Sequence, residues 1–189
     1  MIGIPPTPDR RARGYDPLHV SPGNTALLDA IAARGGPGRV AVFDLDGCVF
    51  DTRPRQVHLF RELAAQEGLD PLYQVTVEHF RDWSTRNTLI NAGIPEAWVE
   101  RHLSTVRAWW QAKFFTSTYV VYDHAMPGAP ALVRAVHAAG THVVSLTGRD
   151  VKMKRGTETA LKRFGFPLGD QASLFVKPSF HMDDTTFKD

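Results

Sequence analysis

Two carboxylates one residue apart close an apolar run in VAVFDLDGCVFD, residues 40–51, and a glycine follows them at once. An apolar strand that ends in acids delivers them to its carboxyl end, where open α/β sheets keep their chemistry. Asp44 and Asp46 can divide two tasks there: one attacks or holds a cation, the other moves a proton. That division suits phosphoryl transfer through an aspartyl-phosphate. Simpler readings compete. Asp-Gly after a strand is also an ordinary turn. An EF-hand frame that puts Asp44, Asp46 and Gly47 at its third, fifth and sixth positions places Val42 at the first ligand and Arg53 at the bidentate one, so calcium binding of that kind fails. No GxxxxGK[ST] occurs, and Gly35, Gly36 and Gly38 precede the strand, which excludes a P-loop.

A second apolar run, Thr141 to Leu146, ends in Thr147-Gly148-Arg149. A hydroxyl and the free N–H groups of a glycine turn are what phosphate oxygens need, since they accept and never donate. Set beside the first strand, Thr147 and Gly148 complete a two-part phosphate site with Asp44 and Asp46.

The elements that must position these residues follow from periodicity. Residues 1–22 hold five prolines and scattered charge, including Arg10, Arg11 and Arg13, and read as a loose arm. A short helix capped by Ser21 or Asn24 runs through Ala33 and stops at Gly35-Gly36, and the first strand spans Arg39 to Leu45. From Thr52 to about Tyr122 the pattern is helical: Val57, Phe60, Leu63 and Ala64 form one stripe, a second segment runs from Leu72 to about Asn91, and a third shows Val99, Leu103, Val106, Trp110 and Phe114 in step. All four tryptophans, at 83, 98, 109 and 110, fall inside this insertion, where a packed helical core is expected ahead of the alternative, a substrate-stacking role. A helix from Pro130 to Gly140, the second strand, a helix from Thr157 to Phe164 and a third strand from Ala172 to Val176 resume the alternation that builds a parallel sheet.

Composition sets the remaining bounds. The 189 residues are 43% hydrophobic with a net charge of +2, enough for one domain plus an insertion and no argument for nucleic acid. No apolar segment reaches membrane-spanning length, the N-terminus lacks the apolar core of a secretory signal, and a cytoplasmic location is the default expectation. Cys48 is the single cysteine, so no internal disulfide forms. The eight histidines show no zinc-site spacing on a helix.

From Arg39 to the C-terminus the chain resembles the haloacid dehalogenase superfamily. Its first motif is matched by Asp44 and Asp46 in FDLDG and its second by Thr147. The resemblance implies a three-layer Rossmann-like parallel sheet made of residues 23–51 and 123–189, with residues 52–122 as a helical cap. It also implies a third-motif cation, for which Lys177 and Lys188 compete; Lys188 is favoured because a loop should separate it from the third strand. Implied as well is Mg²⁺, held by Asp44 and the main-chain carbonyl of Asp46. Asp46, initially protonated, would serve the leaving group as acid and then water as base. The expected reaction is hydrolysis of a small phosphorylated metabolite. Phosphotransfer, a polynucleotide end-phosphatase activity and non-catalytic phospholigand binding are the alternatives. A fourth motif, acids ending a further strand, is not matched; Asp183-Asp184 lie too close to the third strand, and the first strand is expected to have a bare edge.

Overall fold

The computed structural model describes residues 22–188. The proposed arm therefore lies outside the described residues, apart from Pro22, which opens the first helix. Five strands and seven α-helices follow in the order α1 (Pro22–Ala32), β1 (Val40–Phe43), β2 (Phe50–Asp51), α2 (Arg53–Glu67), α3 (Thr85–Asn91), α4 (Glu96–Phe114), β3 (His124–Ala125), α5 (Ala129–Ala138), β4 (His142–Asp150), α6 (Lys154–Arg163), β5 (Ala172–Lys177) and α7 (Asp184–Lys188).

The main sheet is parallel, with β4 between β1 and β5. Successive right-handed crossovers that step in one direction place their helices on one face, so α5 and α6 cover the same side. Their Val133, Val136, Ala160 and Leu161 pack with Val143, Ala172 and Leu45 in a continuous core. The opposite face leaves Val40 64%, Val42 59% and Phe175 52% exposed, and among the described residues β1 is an edge strand. The parallel α/β core expected from the alternation is present.

The insertion begins and ends at one place. Phe50 and Asp51 in β2 pair antiparallel with Ala125 and His124 in β3, a two-residue ribbon that brings its two ends together. Between them the helices form a second core, in which Phe60, Leu63, Leu72, Leu89, Val99 and Val106 are almost completely buried. Helix α2 starts with Pro54 in its first turn and stops at Gly68, whose positive φ of 66° closes the turn and whose N–H is donated to the Ala64 carbonyl.

The second helical segment differs from the sequence reading. Residues 70–74 and 77–79 form separate 3₁₀ turns, and the α-helix begins only at Thr85. Local side-chain hydrogen bonds are the cause. The Thr76 amide donates to His79 Nδ1 at 3.0 Å, and the Ser84 hydroxyl accepts from the Asn87 amide at 3.2 Å, so two polar caps restart the chain inside one apolar stripe. The second main strand is also longer than expected, reaching Asp150 instead of Leu146.

Phe60→Ala, which empties a site 1% exposed, should cost about 3–5 kcal/mol in urea unfolding. Val42→Ser, on the open sheet face, should stay within about 0.5 kcal/mol. Similar costs at the two positions would contradict the burial pattern.

Candidate active site

Asp44 and Asp46 sit where β1 gives way to a tight loop. The Leu45 carbonyl accepts from the amides of Cys48, Val49 and Phe50, and Gly47 takes a φ of 77°, a conformation that a side chain at this position resists. Leu45 is fully buried and anchors the loop, while the acids on either side of it face a cleft. The register pairs Phe43 with Ser145, so Asp44 and Thr147 stand at the carboxyl ends of neighbouring strands.

Beyond Thr147 the ladder between β4 and β5 slips. Thr147 pairs with Val176 and Asp150 with Lys177, leaving Gly148 and Arg149 as two extra residues on β4. Such a bulge re-aims side chains. Gly148 lines the cleft, and a Cβ on it would meet the Asp184 carboxylate, so any larger residue there would have to push that side chain aside. Thr147 itself is fully buried; its Oγ1 accepts from the Arg149 amide at 3.3 Å and braces the bulge, and it does not line the cleft.

Arg149 is the residue that the sequence reading passed over. Its Nε donates to both Asp46 oxygens at 3.1 and 3.0 Å, and its Nη2 donates at 2.6 Å to Asp46 Oδ1 and at 2.6 Å to Asp123 Oδ2. Arg55, in the first turn of α2, joins them: Nη2 lies 3.2 Å from Asp123 Oδ2 and 3.5 Å from Asp46 Oδ1, while Nη1 donates to the Phe114 carbonyl at 2.8 Å. Arg55 Nε and Asp123 Oδ1 are 2.8 Å apart but misaligned for a hydrogen bond, and neither atom has a hydrogen-bond partner among the described residues. Two guanidiniums thus balance two carboxylates. Arg55, Asp123 and Arg149 are almost wholly buried, which isolated charges would not tolerate. Arg55 opens the insertion and Asp123 closes it, so the quartet fastens both ends to β4.

Electrostatics correct one expectation. Burial resists ionisation of Asp46, but the Arg149 charge and hydrogen bonds, helped by Arg55 and Lys188, outweigh it and hold the carboxyl below its ordinary value. Without substrate Asp46 is therefore held toward its ionised form, and the protonated acid expected for the chemical step has to arise in the loaded site. The same two aspartates raise the Arg149 pKa against its own burial, so the guanidinium stays charged. Burial pushes the Asp123 carboxyl up against the pull of Arg55 and Arg149.

The two competing lysines have different partners. Lys188 Nζ reaches Asp44 Oδ1 at 3.1 Å, with both side chains partly exposed. Lys177 is 6% exposed and donates to the carbonyls of Phe180 and Met182 and, at 2.6 Å, to Asp184 Oδ1, which ties the loop after β5 to α7. Lys188 is the last described residue of a five-residue helix, where a helix start had been expected. Among the described residues no group of three His, Cys, Asp or Glu side chains is placed to hold a metal ion. The donors that line the cleft are the carboxylates of Asp44, Asp46 and Asp184, hard oxygens of the kind Mg²⁺ selects when it keeps much of its water.

Asp46→Asn should lower stability by on the order of 2 kcal/mol at pH 7, the worth of charge-assisted hydrogen bonds. A depressed carboxyl stabilises the fold above its unfolded value near 3.8 and loses that contribution as pH falls through the folded value. Urea unfolding of parent and variant should accordingly converge in acid. A deficit that persists unchanged there would refute the ion-pair assignment.

Comparison with known proteins adds to this geometry. No curated protein sequence matches the chain. No helix among the described residues is long and apolar enough to cross a membrane. A family model of hydrolases, the haloacid dehalogenase-like hydrolases, matches residues 39–178, from β1 through β5 and with the whole helical insertion included. With the paired acids at the end of β1 and the glycine-containing bulge near the end of β4, the chain belongs to the haloacid dehalogenase-like hydrolases.

Proposed function

We propose that the protein hydrolyses phosphomonoesters, with Asp44 as nucleophile and the helical insertion, residues 52–122, as a cap over the site. The observation that carries this reading is the unequal setting of the two acids. Asp44 meets one lysine at the cleft surface, while Asp46 is clamped by Arg149. A nucleophile needs access; a proton carrier needs fixed orientation.

A phosphate dianion entering the cleft meets Lys188 and the bulge at Gly148, which offset the repulsion between its oxygens and Asp44. Asp44 attacks phosphorus, the P–O bond to the leaving group breaks, and the phosphoryl group passes to the carboxylate. The incoming negative charge also raises the proton affinity of Asp46 and competes for Arg149, so Asp46 takes up a proton as substrate binds. It gives that proton to the departing alkoxide and later removes one from the water that cleaves the phosphoaspartate. A halide would leave without a proton, so a second acid at this position favours phosphoesters over haloacids.

Mg²⁺ suits the donor set. Asp44 and the main-chain carbonyl of Asp46, joined by substrate oxygens, would hold it, and it would supply charge neutralisation at the phosphoryl group. Lys188, which already touches Asp44, takes the phosphate-orienting role; Lys177 serves the loop. Thr147 acts through the bulge it braces. The substrate expected is a small phosphorylated metabolite of the cytoplasm. Transfer to an acceptor other than water would differ only in what enters after the leaving group departs.

Asp44→Asn should abolish turnover of para-nitrophenyl phosphate while the unfolding midpoint stays close to the parent's; residual turnover above one part in a hundred would exclude Asp44 as nucleophile. EDTA should silence the parent enzyme and added Mg²⁺ restore it. Activity indifferent to chelation would remove the metal from the account.

A further inference from the structure

Three of the four tryptophans are explained by packing. Trp98 lies against His102 with ring centroids 4.4 Å apart, Trp109 Nε1 donates to the Leu59 carbonyl at 3.1 Å, and Trp110 Nε1 donates to Gln56 Oε1 at 3.1 Å. Trp83 differs. It is 71% exposed, and among the described residues it makes no ring contact and no hydrogen bond. It stands in the loop before α3 and lines the same cleft as Asp44.

That cleft encloses about 410 Å³, a volume suited to a small organic ligand. Its walls away from the acids are aromatic. Trp110, Phe114 and Phe115 come from the end of α4, with Trp110 stacked on Phe114 at 4.6 Å and Phe115 edge-on to both. Phe180, from the loop after β5, meets Phe115 edge-on at 4.9 Å and remains 39% exposed. Apart from the indole N–H groups of Trp83 and Trp110 the polar lining is charged, and no hydroxyl, amide or imidazole side chain is among the lining residues described.

From this lining we infer the substrate class: a phosphomonoester whose organic part is a planar aromatic ring, bound against Trp83 and Phe180 while its phosphate lies at Asp44. The inference rests on the phosphatase reading above. A polyol in this cleft finds side-chain hydrogen-bond partners only among the charged groups and the indole N–H groups, and gains no stacking from the aromatic wall. A planar ring gains about 1–3 kcal/mol from one stacking partner and needs no hydrogen bond to do so. Two sources carry such a ring near a phosphate: nucleoside monophosphates, with a sugar between ring and ester, and aryl phosphates, with the ester on the ring itself.

The test separates binding from turnover. Calorimetric titration of the Asp44→Asn protein with adenosine 5′-monophosphate, phosphotyrosine, glucose 6-phosphate and glycerol phosphate reads affinity with no reaction. At least one ring-bearing phosphate should bind tenfold or more tightly than either polyol phosphate, and Trp83→Ala in the same background should erase most of that ratio. Preference for adenosine monophosphate assigns the nucleotide source; preference for phosphotyrosine assigns the aryl source. Equal affinity for polyol and ring phosphates overturns the inference, as does a ratio untouched by Trp83→Ala. Turnover of the same four compounds by the parent enzyme tests the reading beneath it: polyol phosphates hydrolysed as well as ring phosphates refute ring selection alone, and no hydrolysis of any refutes the phosphatase assignment while the binding ratio still decides on ring recognition.

Discussion

The Arg149 guanidinium, shared between Asp46 and Asp123, is the interaction on which the site depends. One planar cation joins the loop after β1, the bulged end of β4 and the residue that leads into β3 at the close of the insertion, at N···O distances of 2.6 Å to each carboxylate. A lysine could not reproduce it, since a single ammonium lacks the fork that engages two carboxylates in fixed directions. The bulge makes it possible: without the two extra residues of β4, side chain 149 would stay in the ladder. Buried charges of this kind cost desolvation and hold only as a complete set, so the quartet specifies one geometry more than it adds stability.

That geometry separates the roles of two chemically identical side chains. Asp46 is immobilised and kept ionised by cations it cannot escape, while Asp44 faces the cleft with Lys188 as its partner. Differences in environment, not in residue type, thus set the two acids apart, and the proposed division into an attacking acid and a proton-carrying acid rests on that difference. The insertion shares in this arrangement. Because Arg55 and Asp123 lie at its two ends, movement of the helices relative to the sheet would be felt at Asp46 through the same guanidiniums.

Much of the frame was legible in the chain. The apolar runs before Asp44 and Thr147 have the length of buried parallel strands, and the helical stripes around 57–64 and 99–114 are long enough to outvote local detail. The insertion's second segment was misread because a polar cap within a half-apolar stripe looks like the solvent face of one helix; Thr76 and Ser84 are the signals that could have marked the breaks. The ribbon of β2 and β3 is two residues on each side, below what alternation can reveal. Arg55 and Asp123, 68 positions apart, carry no local pattern at all; only the fold brings them together. Arg149 stood in plain view after Thr147-Gly148, yet nothing in a turn tripeptide says that a bulge will point its side chain across the sheet. Trp83 was grouped with three packed tryptophans because composition does not separate a ring in a core from one on a rim.

A double-mutant cycle on Arg149 and Asp46 tests the central claim most directly. Urea unfolding of Arg149→Met, Asp46→Asn and the double variant at pH 7 should give a coupling energy of about 1–3 kcal/mol, because each single change strands the partner charge that the double change removes. Additive losses, with coupling near zero, would mean that the two residues do not hold each other, and the account of how the acid is positioned would fall.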